Sequence, residues 1–104
     1  MKETLLTLIC APSLEHPITD WLLEQEQITG FTTSTASGHG GNPNRLIPTE
    51  QVEGKKKQVM FQIHLDSETA KVIINDLHYD FKGAEIHYWI LPVLSAGDLS
   101  ESNR

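Results

Sequence analysis

A segment rich in glycine in the middle of the chain carries the residues most suited to binding a ligand. Three of the seven glycines, Gly38, Gly40 and Gly41, surround His39. Glycine adopts positive φ angles without strain, so consecutive N–H groups in such a turn can converge on an anion. The same glycines would also serve as a flexible hinge. The residues therefore predict either an anion-binding turn or a hinge.

A second turn, which contains a lysine, is a further candidate for contact with an anion. Lys82-Gly83 separates a helix-like segment from a strand-like one, and it is either an anion-contacting turn or an ordinary helix end. Lys55, Lys56 and Lys57 form a short basic run, which is typical of a solvated strand end.

The histidines support a metal site only weakly. The five are His16, His39, His64, His78 and His87. No two of them have the close spacing of ligands on one helix. His64 and His87 fall in predicted strands, where a packed or solvated histidine is the usual interpretation. His39 lies in a Gly-His-Gly-Gly turn and is the candidate metal ligand, with a histidine or an acid from across a subunit boundary. An alternative function is therefore a divalent-metal-binding accessory protein.

Composition and charge argue against several classes of protein. A chain of 104 residues predicts a single core, and a net charge of -6 argues against a nucleic-acid partner. No apolar run approaches the roughly 18–20 residues that span a bilayer, and the first residues do not resemble a signal peptide. We therefore expect a cytoplasmic protein that is not inserted into a membrane.

The single Cys10 cannot form an internal disulfide. No acid–base pair or nucleophile triad stands out, so we expect a non-enzymatic protein.

Hydrophobic periodicity predicts four strands and two helices in the order βαββαβ. The strands are expected at 4–10, 31–37, 58–65 and 84–91, the second of them at a sheet edge. One helix is expected from the apolar stripe Leu14, Ile18, Trp21, Leu22 and Gln25, ending near Gly30. The other carries Ala70, Ile73, Ile74, Leu77 and Phe81, with Asp66 or Ser67 as its cap. We assign residues 1–94 to one domain and 95–104 to a polar C-terminal tail.

This order of elements predicts an α+β, ferredoxin-like fold, in which a four-stranded antiparallel sheet carries two helices on one face. Successive residues of a strand point to opposite faces of the sheet, and apolar residues occur in both alternating sets. One group is Leu6, Leu8, Cys10, Met60, Trp89 and Leu91; the other is Leu5, Ile9, Phe61, Ile63, Ile86, Tyr88 and Ile90. Since helices cover only one face, the other face would be apolar and exposed. Another chain usually covers such a surface, so we expect a homo-oligomer.

Three motifs in the predicted order make the chain similar to a known family. They are Leu8-Ile-Cys-Ala-Pro12, the run from Gly30 to Gly40 (GFTTSTASGHG), and Ile90-Leu-Pro-Val93. Over residues 4–97 the chain resembles the nitrogen regulatory PII signalling proteins, and more closely an uncharacterised PII-like family. The resemblance implies a homotrimer in which the sheets surround a central axis. It also implies clefts between subunits that bind a nucleotide or another small effector. For this chain the cofactor stays open between a nucleotide and a divalent metal.

The resemblance assigns roles to two regions. Residues 39–51 occupy the position of the T-loop, which contacts a partner protein, and we assign that contact to Asn42, Asn44, Arg45, Leu46 and Ile47. The implied effector-binding residues are Gly38, His39, Gly40, Gly41, Lys82 and Gly83. PII-like relatives of this kind are associated with membrane transporters, including heavy-metal efflux pumps, which suggests a role in metal resistance.

Two departures from the PII pattern argue against its usual chemistry. No tyrosine lies between residues 32 and 78, so the T-loop lacks the residue that PII proteins have modified. Acids stand in the segment 95–102, where PII proteins carry basic residues that hold ATP phosphates. The resulting hypothesis is a PII-like regulator whose loop switches between ordered and disordered states under control of an effector other than the usual ATP and 2-oxoglutarate.

Overall fold

The structure, a computed structural model, describes residues 2–40 and 55–101. Its strands are β1 (Glu3–Cys10), β2 (Thr32–His39), β3 (Lys55–Asp66) and β4 (Ile86–Pro92). Its helices are α1 (Glu15–Leu23), which follows a short 3₁₀ turn at Pro12–Leu14, and α2 (Ser67–Asp80). The predicted element order βαββαβ is confirmed.

The four strands form one antiparallel sheet in the order β2-β3-β1-β4. The strand with the most continuous apolar run, β1, lies in the interior, and the polar β2 lies at an edge, as its composition predicted. Both helices pack on one face of this sheet, because their buried residues join a single core cluster with β1 and β3. The ferredoxin-like fold is therefore confirmed.

The register of the strands corrects the predicted grouping of apolar side chains. Leu6 lies opposite Ile63 and Ile90, and Leu8 lies opposite Phe61 and Tyr88. Directly opposite residues project to the same face of a sheet. The grouping of Leu6, Leu8 and Cys10 with Met60, Trp89 and Leu91 was therefore wrong. These β1 residues instead join Phe61 and Ile63 beneath the helices, where all five are buried.

The opposite surface of the sheet, here called the open face, carries a second set of side chains. Its apolar members are Leu5, Ile9, Met60, Trp89 and Leu91, which pair across β3, β1 and β4. Trp89 and Leu91 are 45% and 49% exposed, so no helix of the described chain covers them. The expectation of an apolar, uncovered sheet face is thus met, although by a different set of residues.

The first helix is shorter than its apolar stripe predicted. α1 ends at Leu23, and turns bonded from Gln25 to Leu22 and from Ile28 to Gln25 follow it. Ile18 and Leu22 are its buried residues. Residues 24–27 are all Glu or Gln and offer no apolar side chain to the core, which explains why packing does not extend the helix. The predicted end near Gly30 was therefore wrong.

The second helix follows its predicted stripe closely. Ala70, Ile73 and Leu77 are buried on the side facing the sheet. Asp66 holds the N-cap position with extended backbone angles, but its side chain makes no capping hydrogen bond. Phe81 follows the helix and packs edge-on against Trp21 with ring centroids 6.4 Å apart. No helix in residues 2–40 or 55–101 is long and apolar enough to cross a membrane.

Candidate functional site

One end of the sheet brings three separate segments together. The strand β3 pairs with β2 from Lys55 onward but meets β1 first at Val59, opposite Cys10. The first residues of β3 therefore extend beyond β1, next to the connection that leads into β4. A small cavity of about 100 Å³ opens here. Its lining residues are Ile9, Cys10, Ala11, Leu14, Lys56, Gln58, Glu85 and His87. We call this the basal site, since it lies where β3 follows the segment 41–54.

The charged groups of the basal site are arranged around Glu85. One carboxylate oxygen of Glu85, Oε1, lies 3.8 Å from Lys56 Nζ, and the other, Oε2, lies 3.5 Å from His87 Nε2. The side chains of Lys56, Glu85 and His87 are 29%, 46% and 66% exposed. Both contacts are partly open to solvent, where pairing is weak, and the contact with His87 is an ion pair only when the imidazole is protonated. The site therefore holds two basic groups that one acidic side chain engages loosely.

Gly38 lies beside the basal site, against the side chain of one of the residues that line the cavity. It pairs with Lys56 across the β2–β3 ladder, on the open face. A Cβ atom at this position would lie 2.6 Å from Oε1 of Gln58. The amide of Gln58 therefore lies against the bare backbone of Gly38, and any larger residue there would displace it. This places an amide that can both donate and accept hydrogen bonds beside Lys56.

The Cys10 thiol at the base of the cavity is expected to be unreactive. Cys10 is 2% exposed and is a free cysteine. Burial raises the pKa of the Cys10 thiol, and the nearby negative charge of Glu15 raises this pKa further. A thiol held in its neutral form is a poor nucleophile and a poor metal ligand. Cys10 thus fills space in the site.

The sequence-predicted effector residues lie in different places. Gly38 lies beside the basal site, while His39 pairs with Lys55 and Gly40 follows it at a φ of 88°. Lys82 is exposed in the turn after α2, and Gly83 has a φ of 87°, which glycine adopts without strain. Gly41 and the predicted partner-contacting residues lie outside the described residues. They are Asn42, Asn44, Arg45, Leu46 and Ile47.

Gly83 lines a second and larger cavity between α2 and β4, of about 290 Å³. Its walls are mostly apolar and include Leu77, Phe81 and Ile86. Gly83 thus lines this larger cavity, whereas Gly38 lies against Gln58 of the basal site. A shared effector site for the two glycine turns, formed where two chains meet, stays a prediction.

The histidines are dispersed in space as well as in sequence. His64 contacts Glu3 with Nε2 2.7 Å from Oε1, at the far end of the sheet from His87. His16 lies 3.7 Å from Asp20 on α1. Among residues 2–40 and 55–101, no three side chains of His, Cys, Asp or Glu are grouped to hold a metal ion. A metal site built from His39 and residues of another chain stays a prediction.

Sequence reasoning missed Lys56, Gln58, Glu85 and His87 as a group. Each looked ordinary alone, because lysines at a strand end and a histidine in a strand are usually solvated. They meet because of strand register, which pairs Ile9 with His87 and Gly38 with Lys56. The alternation of Lys56 and Gln58 on one side of β3 was the one signal present in the sequence.

Solved structures resemble this fold along nearly its whole length. A DUF3240 family protein from Shewanella baltica OS155 matches with a TM-score of 0.78 and 25% identity over 96% of this chain and 99% of its own. The nitrogen regulatory PII-like protein CPII from Thiomonas intermedia K12, solved with ADP, AMP and bicarbonate, matches with a TM-score of 0.68 and 15% identity. That match covers 95% of this chain and 98% of CPII.

A third structure, of a PII-like signalling protein from Thermus thermophilus, has a TM-score of 0.62 and 18% identity over 89% of this chain and 91% of its own. These likenesses confirm the resemblance to PII-like proteins at the level of fold. The comparison with curated proteins found no match. The family model of the DUF3240 proteins, described as proteins of unknown function, matches residues 1–100. The chain therefore belongs to the DUF3240 family.

Proposed function

We propose that this protein is a non-enzymatic, PII-like regulator that senses a small effector and contacts a partner protein through the loop at residues 39–51. The observation that carries the proposal is the position of the basal site. Lys56 and Gly38 stand on the two strands that this segment joins, so a ligand bound there would contact both ends of the connection. A ligand that binds one state of the segment more tightly than another would shift its population.

The open face supports a trimeric assembly. Leu5, Ile9, Met60, Trp89 and Leu91 form an apolar surface across three strands, and burying such a surface against other copies is favourable by about 25 cal/mol per Å². We propose a homotrimer, since the PII proteins that the sequence resembles assemble in this way. In such a trimer the basal site would lie close to a neighbouring subunit, where Gly83 and Lys82 of that neighbour could complete it.

We propose an anionic effector. The Thiomonas protein binds ADP, AMP and bicarbonate, all of which carry negative charge. Here Lys56, His87 and the Gln58 amide supply groups of the right kind. The proposed effector residues Gly38, His39, Gly40, Gly41, Lys82 and Gly83 would add backbone N–H groups and one further cation. We keep the expectation that ATP and 2-oxoglutarate are not the natural pair.

We propose a membrane transporter, such as a heavy-metal efflux pump, as the partner, with the protein acting from the cytoplasm. Asn42, Asn44, Arg45, Leu46 and Ile47 combine polar and apolar side chains suited to a protein surface. Residues 1–94 would form the folded unit, with 95–104 as a tail. Leu99 in this tail makes almost no contact with the rest of the chain, being 103% exposed.

A thermal-shift panel tests the effector. A ligand present at 100 times its Kd stabilises the native state by about 2.7 kcal/mol. We expect ADP, AMP or bicarbonate to raise the melting temperature, and sodium chloride at equal ionic strength to leave it unchanged. Lys56→Gln should weaken the response. If none of the three ligands moves the melting temperature of the wild-type protein at millimolar concentration, the proposed effector class is wrong.

A further inference from the structure

We propose that Lys56 and His87 form a subsite for a single small anionic group, either phosphate or a carboxylate-like anion, and that Glu85 occupies this subsite in the unliganded protein as an internal competitor. The inference rests on the proposed function, because it gives the effector site its ligand chemistry and its resting state. It concerns residues that the sequence-based effector assignment did not include.

The geometry of Glu85 carries this proposal. Its two carboxylate oxygens are divided between two basic groups, with Oε1 3.8 Å from Lys56 Nζ and Oε2 3.5 Å from His87 Nε2. One carboxylate thus bridges two side chains from different strands. An incoming phosphate or bicarbonate also presents two or more oxygens on a small centre. The bridge formed by Glu85 therefore imitates the contacts that such an anion would make.

The surroundings make displacement of Glu85 necessary for binding. The negative charge of Glu15 acts on Cys10 at the base of the same cavity. An anion that entered beside Glu85 would meet the negative charges of both Glu15 and Glu85. When Glu85 swings out, Lys56 and His87 become available together, and the Gln58 amide beside them can donate a hydrogen bond.

The contacts of Glu85 with Lys56 and His87 are partly open to water. The side chain of Glu85 is 46% exposed and that of Lys56 is 29% exposed. Partly exposed ion pairs contribute little free energy, so water can replace these two contacts at small cost.

The test compares wild type with Glu85→Gln, and uses Glu68→Gln as a matched control. Glu68 pairs with Lys71 at 3.5 Å on the exposed side of α2, so its change removes the same charge and a similar ion pair away from the site. Binding of inorganic phosphate, bicarbonate and ADP is measured separately by calorimetry. Separate titrations with phosphate and with bicarbonate show whether the subsite binds a phosphate group or a carboxylate-like anion.

We expect Glu85→Gln to tighten binding of inorganic phosphate or bicarbonate about two- to fivefold, the equivalent of one partly exposed ion pair. Glu68→Gln should stay within about 1.5-fold of wild type, and Lys56→Gln should weaken binding several-fold. Glu85→Ala serves as a second variant, because its smaller side chain also removes the competitor. Both Glu85 variants should melt within a few degrees of wild type.

Three results overturn the inference. If wild type binds an anion and neither Glu85 variant binds it more tightly, Glu85 is not a competitor, while the proposed effector function stands. If Glu68→Gln tightens binding as much as Glu85→Gln, net charge alone explains the effect. If neither the wild type nor any variant binds phosphate, bicarbonate or ADP, both the subsite and the proposed effector class are wrong.

Discussion

At the scale of single residues, Thr7 and Cys10 are two side chains with polar atoms that the sheet buries. Thr7 lies on the open face between Gln62 and Trp89 and is 1% exposed. Its hydroxyl has no hydrogen-bond partner among the described residues. A buried polar group without a partner costs stability. Cys10 is buried nearby on the opposite face, where its thiol stays neutral.

Replacing Thr7 by Val should increase the free energy of unfolding by about 1 kcal/mol, because an unpaired hydroxyl is exchanged for a methyl group of similar shape. Chemical denaturation monitored by tryptophan fluorescence measures the change. Thr4→Val is the control, since the Thr4 hydroxyl donates to the Leu65 carbonyl oxygen at 2.8 Å and its loss should destabilise. A loss of stability in Thr7→Val would show that the hydroxyl gains a partner in the assembled protein.

The raised pKa of Cys10 predicts slow alkylation. Because the thiolate is the reactive form, a thiol whose pKa is raised carries less thiolate at pH 8 than an ordinary one. Iodoacetamide should modify the folded protein much more slowly than the protein in denaturant. Glu15→Gln removes the charge that opposes ionisation and should speed the reaction in the folded state. Equal rates for Glu15→Gln and wild type would show that burial alone protects the thiol.

At the scale of elements, each helix packs on the sheet through one apolar side. That side is formed by three buried residues in α2 and by only two in α1. Ile73 is completely buried in α2, whereas its neighbour Val72 is 50% exposed. The ends of the two helices are joined where Trp21 Nε1 donates a hydrogen bond to Asp80 Oδ2 at 2.7 Å. The helices thus cover the sheet through a few apolar side chains, and the loss of one of these should be costly.

Ile73→Ala should lower the free energy of unfolding by about 2–5 kcal/mol, since it leaves a cavity in the core. Val72→Ala is the matched control, because it shortens an adjacent aliphatic side chain on the exposed side of the same helix. Its effect should stay within about 0.5 kcal/mol. Urea denaturation compares the two variants. Equal losses would contradict the placement of Ile73 beneath α2.

Part of this arrangement could be predicted from the sequence. The stripe of Ala70, Ile73 and Leu77 has helical spacing and was sufficient to locate α2 and its buried side. The end of α1 could not be located, because Glu and Gln favour helices as strongly as Leu does and only packing decides where the helix ends. The register between neighbouring strands could not be predicted from the sequence either. A tight turn fixes register, whereas the long connection between β2 and β3 does not.

The same limit applies to the basal site. Gly38 could be singled out because glycines cluster near it, but its role in the structure is to leave room for Gln58. Lys56, Glu85 and His87 come from β3 and from the region around the start of β4, and their contacts depend on register. Sequence patterns therefore indicated one side of the site and missed the ionic group at its centre.

At the scale of the whole molecule, the single chain is extended for its size. Its Cα radius of gyration is 15.8 Å, whereas a compact domain of 100 residues has a value of about 13 Å. The longest dimension is 55 Å against 29 and 21 Å for the others. Together with the apolar open face, this shape fits a subunit that is completed by other copies.

Trp89→Glu should separate the subunits, because it places a charge in the proposed apolar interface. Tyr79→Glu is the control, since Tyr79 is 81% exposed on α2, away from the open face. Size-exclusion chromatography should show a smaller particle for Trp89→Glu and no change for Tyr79→Glu. A response of both variants, or of neither, would place the interface elsewhere.

The mass of the wild-type protein in solution is the decisive measurement, because the proposed regulator depends on an assembly that covers the open face and brings a neighbouring subunit to the basal site. Static light scattering at micromolar concentration should give about 35 kDa, which is three times the 11.7 kDa of one chain. A mass of 11.7 kDa, with Trp89 and Leu91 facing water, would contradict the trimer and the site between its subunits.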